Sequence, residues 1–263
     1  RDRSLPVLQN LLKAMPHYAI WDDHDYGPND ADKAYILKDE SRNVFKKFWA
    51  NPSYGMNGEG IYTKITWNDV EIFMLDDRWF RSSDDMPDSI DGKPNSGKRM
   101  FGEEQMEWLK NGLLMSNGNR QINFRIIATG SQVLNPMSPW DCFKHFSYEY
   151  NELMNFIRQS KIEGIVFLTG DRHHSEIIKT LRDGAYPLFD ITSSPLTSGI
   201  GNTKGSIEEK NPYRIGPEID EQNYARLGFA GQGKDREMKI EFISIKGISL
   251  YSYTIKANEL KIK

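Results

Sequence analysis

Apolar positions along this chain follow two rhythms, and their alternation sketches the fold. Short runs dominated by apolar residues stand at residues 18–21, 125–129, 165–169 and 187–192, the one at 165–169 being continuous. Runs of this kind, stopped by turn-forming residues, read as buried strands. Between them, residues 39–49 place Val44, Phe45, Phe48 and Trp49 on one helical face, and residues 102–116 carry Met106, Leu109, Leu113 and Leu114 at the same spacing. Residues 148–160 read as another helix, and residues 5–15 as a short one ended by Pro16. Residues 60–66 and 70–75 flank Asn68-Asp69, the signature of a tight hairpin. Strands alternating with helices predict an α/β fold. The last third changes character: residues 226–230, 238–245 and 248–255 follow one another as strands, the final pair joined around Lys246-Gly247. Two stretches lack periodicity. Residues 82–98 are expected to form a mobile surface loop, and residues 199–223 a polar loop over the site.

With 263 residues the chain suffices for one large core, so residues 1–263 are expected to form a single domain. A net charge of −3 excludes a strongly basic nucleic-acid binder. No apolar run approaches the length of a membrane span. The single cysteine, Cys142, has no internal disulfide partner and is expected to be a small packed side chain. The aromatic residues fall mostly inside predicted elements, which favours a core role over an interaction surface.

Candidate chemistry is concentrated in two stretches, Trp-Asp-Asp-His-Asp-Tyr-Gly-Pro-Asn-Asp at 21–30 and Leu-Thr-Gly-Asp-Arg-His-His-Ser-Glu at 168–176. They hold three of the five histidines. Each follows a predicted strand, and strand ends are where α/β proteins build their sites. Carboxylates crowded as at Asp22, Asp23 and Asp25 raise one another's pKa unless a cation sits among them. Oxygen donors suit hard cations, and imidazole widens the choice to zinc, iron and manganese. The structural alternative for the first stretch is an Asp-rich turn capping a helix near residues 31–37. For the second, it is a helix capped by Asp171. An Asp-x-His pair at a strand end lets Asp171 and His173 converge on one metal where the backbone turns, which leaves His174 directed elsewhere, toward substrate or a carboxylate such as Glu176.

Trp21-Asp22-Asp23-His24-Asp25 with Asn29, and Gly170-Asp171-Arg172-His173, resemble the later metal motifs of PhoD-type alkaline phosphatases, within the metallophosphoesterase class. Leu75-Asp76-Asp77-Arg78 with Arg81, Gly130-Ser131-Gln132-Val133-Leu134 and residues 192–199 extend the resemblance from about Pro16 to Gly199. It implies an αββα sandwich with mixed β-sheets, the C-terminal strands belonging to the second sheet. It also implies a phosphate ester substrate and two or more metal ions: iron with calcium, or another set drawn from zinc, manganese and magnesium. In such a site a metal-bound hydroxide attacks phosphorus in line with the leaving alkoxide.

By the same resemblance Asp23, Asn29, Asp171 and His173 are candidate ligands, with Asp22, Asp25 and His174 as further ligands or groups that orient them. His24 is the candidate general acid. Arg78 and Arg81 are candidates to clamp a phosphate oxygen, an ion pair with Asp76 or Asp77 being the alternative. Ser193, Ser194 and Thr197 are expected to be turn residues.

The motifs serve a monoesterase, a phosphodiesterase or a phospholipase D-like hydrolase alike. An extracellular or periplasmic location is implied, and oligomeric state is not. One departure matters: the family's earliest motifs, an Asp followed by His or Cys and then a Gly-Asp, are not found in the twenty residues before Trp21, and the chain opens Arg1-Asp2-Arg3-Ser4 without Met. The expectation is therefore the C-terminal portion of a longer protein with an incomplete site, and an inactive fragment is the alternative to an enzyme.

Overall fold

In chain order the elements are helices α1 (Pro6–Ala14), α2 (Asp23–Tyr26) and α3 (Lys38–Phe48), then strands β1 (Thr63–Trp67), β2 (Val70–Met74), β3 (Ser89–Ile90) and β4 (Lys93–Pro94). Helix α4 (Gly102–Gly118), strand β5 (Phe124–Ala128), helix α5 (Ser147–Gln159) and strands β6 (Ile165–Thr169), β7 (Glu176–Arg182) and β8 (Ala185–Thr192) follow. The chain closes with β9 (Asn223–Ala230), β10 (Glu237–Ser244) and β11 (Ser249–Lys256). These come from a computed structural model that describes residues 4–262.

Six strands form one mixed sheet in the order β1-β2-β5-β6-β8-β7. The inner four are parallel, and β1 and β7 pair antiparallel at the two edges. The β1–β2 hairpin turns through Asn68, whose φ of 53° is the left-handed conformation that Asn tolerates in such turns. Successive side chains point to opposite faces, so strand parity assigns the layers. Phe124 of β5 meets Phe229 of β9 at 5.4 Å, and Phe189 of β8 meets Tyr253 of β11 at 6.0 Å. On the opposite face, Phe73 of β2 packs on Trp108 of α4 at 5.9 Å. A second antiparallel sheet, β11-β10-β9, therefore covers one face and helices cover the other. One apolar core runs through all three layers, from Leu109 and Leu153 on the helices to Met238 and Ile255 on the second sheet. The fold is a mixed α/β sandwich of the expected class.

Three local expectations are corrected. Residues 18–21 join no ladder. The backbone N–H and C=O of Ala19 bond the side chain of Asn51 instead, at 3.1 and 2.7 Å. An apolar run states a preference for extension; a strand also needs a neighbour. Residues 31–37 are turns, and the helix that Asp22 caps is the single turn α2 directly after it, through Asp23 N–H at 2.9 Å. The loop at 82–98 is fastened: it contains the β3–β4 hairpin, Asp88 accepts from Ser147 N–H at 2.8 Å, and Lys98 Nζ donates to the Asp84 carbonyl at 3.0 Å. A smaller apolar cluster of Trp21, Tyr26, Phe45, Ile61 and Trp79 lies beneath α2 and α3.

Candidate metal centre

All four inner strands run the same way, so their carboxyl ends deliver four loops to one edge of the sheet: Leu75–Arg78, Thr129–Gln132, Gly170–His174 and Ser193–Ser194. Ligand sites of α/β sheets form at this edge. The turn of α2 closes over it. Gly130 is required by this approach: a Cβ there would stand 2.7 Å from Asp77 Oδ2 and 2.8 Å from Asp22 Cγ. Among the described residues the edge opens as a cleft of about 1050 Å³, lined from one side by Asp22, Asp23, His24 and Asn29 and from the other by Asp171, His173 and His174. The structure thus brings the two sequence stretches together. Asp25 does not line the cleft.

Arg78 is fully buried beneath this floor. Its Nε and Nη2 donate to Asp22 Oδ1 at 2.8 and 2.5 Å, Nη2 also reaches Asp141 Oδ2 at 2.8 Å, and Asp77 Oδ1 lies 4.0 Å from Nε. Arg81, equally buried, reaches Asp141 Oδ1 at 2.7 Å and Asp84 Oδ1 at 2.8 Å. Both guanidinium groups are thus engaged by protein carboxylates and neither lines the cleft, an arrangement that matches the ion-pair alternative, with Asp77 as the expected partner in reach of Arg78. The other expected partner, Asp76, is engaged elsewhere. Its Oδ1 accepts the Trp21 indole N–H at 2.7 Å and its Oδ2 accepts Ile61 N–H at 2.9 Å.

The carboxylates of the first stretch are used differently. Asp22 Oδ1 takes three donors, the two from Arg78 and Asp23 N–H. Asp23 is bonded at both oxygens by backbone N–H groups, from His24 at 2.8 Å and Asp30 at 3.1 Å. Against its burial, these bonds and Arg78 hold its carboxyl below the usual range. The His24 ring is largely exposed, with Nε2 3.9 Å from Asp23 Oδ2. Asn29 Nδ2 donates to Asp30 Oδ2 at 2.6 Å.

In the second stretch Asp171 and His173 adopt φ values of 66° and 57°. Such left-handed conformations are rare for these residues and cluster where a site over-determines the backbone. His174 turns inward, buried, with Nε2 3.5 Å from Glu176 Oε1. Glu176 is in turn bonded by Gln132 Nε2 at 2.8 Å and Arg214 Nε at 2.6 Å. Despite its burial, the contacts with His174 and Arg214 pull its carboxyl down to about 2.

The donor set fits a cation. Burial, together with the neighbouring carboxylates, raises Asp171 to about 7, and burial together with Asp77 raises Asp22 to about 7 as well. Asp77 Oδ1 is buried without a hydrogen-bond partner. Such repulsion is relieved when a metal sits between the groups. A consequence is measurable in the metal-free protein. Below about pH 4 these carboxyls are protonated in the folded and unfolded chains alike. Between the ordinary value of 3.8 and about 7 the unfolded chain ionises while the fold resists, so their contribution to stability is lost as pH rises through that window. Thermal unfolding after chelation should show a Tm that falls across this range by more than in Asp171→Asn, and added divalent cation should restore it. Identical slopes in the two proteins would refute the assignment.

Sequence reading missed Asp30, Asp84 and Asp141, whose carboxylate oxygens lie within 4.8 Å of one another. Two of these groups are already paired with Arg78 or Arg81. It also missed the buried clasp in which Glu208 accepts from Arg172 Nη2 at 2.6 Å and Asn135 Nδ2 at 2.7 Å, tying the 199–223 segment to the cleft wall. Asp30 and Arg172 lie inside the two quoted stretches but carry no ligand spacing of their own, and Asp84, Asn135, Asp141 and Glu208 stand outside them, so no local pattern announces the contacts. Cys142 is buried and free, as expected, and burial pushes its thiol up to about 12.

A family model for PhoD-like phosphatase matches residues 2–240. Alkaline phosphatase D of Bacillus subtilis (strain 168) is 27% identical over 200 residues, covering 66% of this chain and 33% of that protein. The solved structure of PhoD superposes with a TM-score of 0.64 at 19% identity, covering 90% of this chain and 51% of that one. The chain thus spans about a third of the curated relative and about half of the solved structure.

Proposed function

This chain belongs to the PhoD-like phosphatase family, and we propose that its cleft hydrolyses phosphoric esters with two or more metal ions bound. The observation that carries the proposal is the convergence of Asp22, Asn29, Asp171 and His173 on one cleft at the carboxyl edge of the sheet. These four are the proposed ligands. Asp22 offers Oδ2, since Oδ1 is saturated by donors, and Asn29 offers its carbonyl, since its amide binds Asp30. Asp23, bonded to backbone at both oxygens, contributes a remaining lone pair or orients the turn. Bound cations would supply Lewis-acid polarisation of the phosphoryl oxygens and acidify water; the donor types admit iron with calcium, or zinc, manganese or magnesium.

The chain's own groups do the rest. Arg78 and Arg81 fix Asp22 and Asp141. To His24, whose exposed ring lines the cleft, falls the proposed role of proton donor to the leaving oxygen. His24→Ala should therefore lower kcat by about 10²-fold or more with bound metal unchanged in elemental analysis. Loss of metal in that variant would make His24 a ligand.

A cleft of about 1050 Å³ admits two organic substituents as readily as one, so diester hydrolysis is the second reading. An extracellular or periplasmic setting belongs to the same proposal and is checked by fractionation. No helix among the described residues is long and apolar enough to cross a membrane. The deciding experiment is elemental analysis of the chain purified without chelator, paired with turnover of p-nitrophenyl phosphate and bis-p-nitrophenyl phosphate. Stoichiometric metal with turnover supports the reading, and the ratio of the two rates separates monoester from diester. Metal-loaded protein that turns over neither ester refutes it.

A further inference from the structure

Trp140 is 69% exposed on the lip of the cleft. Tryptophan is among the most buried residue types on average, so one left open beside a site calls for a reason. Its backbone is pinned on both sides. Trp140 N–H donates to Ser138 Oγ and Ser138 Oγ donates to the Trp140 carbonyl, each at 3.3 Å, while Arg172 donates to the same hydroxyl. The next residue, Asp141, is held by Arg78 at 2.8 Å and Arg81 at 2.7 Å, and the one after, Cys142, is fully buried. The backbone that carries the indole is therefore fixed, so a ligand that stacks there has no loop to order.

Its surroundings locate it relative to the chemistry. Asp141 lies within 4.8 Å, atom to atom, of Asp84 and of Asp30, the neighbour of Asn29. Arg81 and Lys98 approach the Phe146 ring at 4.7 and 5.0 Å. Lys98 and His145 also line the cleft. The Lys98 ammonium has the Asp84 carbonyl at 3.0 Å as hydrogen-bond partner and no carboxylate within ion-pair distance among the described residues. The same cleft thus carries an exposed aromatic face and a lysine with no carboxylate partner among the described residues, in a lining rich in aspartate. Resting on the hydrolase reading, we propose that Trp140 is the platform for the leaving group, and that the substrate class is a phosphate ester of an alcohol bearing a planar ring, aryl or nucleoside. The ring stacks on the indole, and Lys98 offsets the acidic wall for an anionic ester.

The test compares the wild-type chain with Trp140→Ala and Trp140→Phe, each purified with manganese present. Turnover is measured on p-nitrophenyl phosphate and glycerol 2-phosphate, and calorimetric binding on adenosine 5′-monophosphate. Trp140→Ala should weaken KM for the aryl ester and Kd for the nucleotide by about tenfold, leave kcat within about twofold, and leave glycerol 2-phosphate unaffected. Trp140→Phe should stay close to wild type. Equal changes on ring-bearing and ring-free ligands, or none on either, would overturn the platform. If no form turns over any ester but nucleotide binding still depends on residue 140, the hydrolase reading fails and the subsite stands. If wild type and Trp140→Ala turn over all esters identically, the reverse holds.

Discussion

Asp171→Asn is expected to lose bound metal and, with it, essentially all turnover. Asp171 stands one glycine beyond the end of β6 and shares the cleft with Asp22, Asn29 and His173. Removing a mere outer partner of a metal ligand costs about 10- to 100-fold in affinity, so loss of a charged ligand should exceed that. The substitution has an opposite effect on the empty fold. Burial and the neighbouring carboxylates disfavour the ionised Asp171, and an amide of the same shape carries no such penalty. Metal-free Asp171→Asn should therefore melt higher than metal-free wild type at pH 8, while adding metal should stabilise wild type alone. Titration of both proteins with manganese in a thermal-shift experiment reads the two effects together. Metal affinity equal to wild type would remove Asp171 from the ligand set.

Arg78→Met should be the most damaging single change to stability. The guanidinium lies with no exposed surface among Asp22, Asp77 and Asp141. Breaking such a buried arrangement from one side costs about 3–5 kcal/mol, because carboxylates are left buried without compensation. Urea unfolding would measure it. Arg78→Lys should recover part of the loss only, since an ammonium cannot span Asp22 and Asp141 as the fork of Nε and Nη2 does. A loss within the range of surface substitutions, about 0.5 kcal/mol, would mean that the Asp22–Asp141 network relaxes without its cation.

These two residues show where local information ends. Asp171 was legible as a cleft residue because its position is written beside its structure: a β-rich run, a glycine, then an Asp-x-His pair at the end of a strand. The same holds for the strands at 125–129 and 165–169, the helix at 102–116 and the C-terminal antiparallel strands, since burial on one or both faces imposes a period that the chain must carry. Arg78 was legible as either a clamp or an ion-pair partner of its neighbour Asp77, but its pairing with Asp22 and Asp141 was not legible. An arginine after a strand looks the same whether it meets a phosphate or three aspartates, and Asp22 and Asp141 lie 56 and 63 residues away.

The α/β class, the family resemblance and the two acidic, histidine-bearing stretches are all legible in the chain read linearly, because each is a pattern within a few turns of chain. It took the folded arrangement to show that residues 18–21 join no ladder, that the donors reaching Asp22 meet Oδ1 alone while each oxygen of Asp23 accepts a backbone N–H, and that Asp30, Asp84, Asp141 and Trp140 stand at the cleft. Those outcomes depend on which donor or strand arrives from elsewhere in the chain. Hydrogen bonds and ion pairs act over a few ångströms of space, whatever the distance along the sequence.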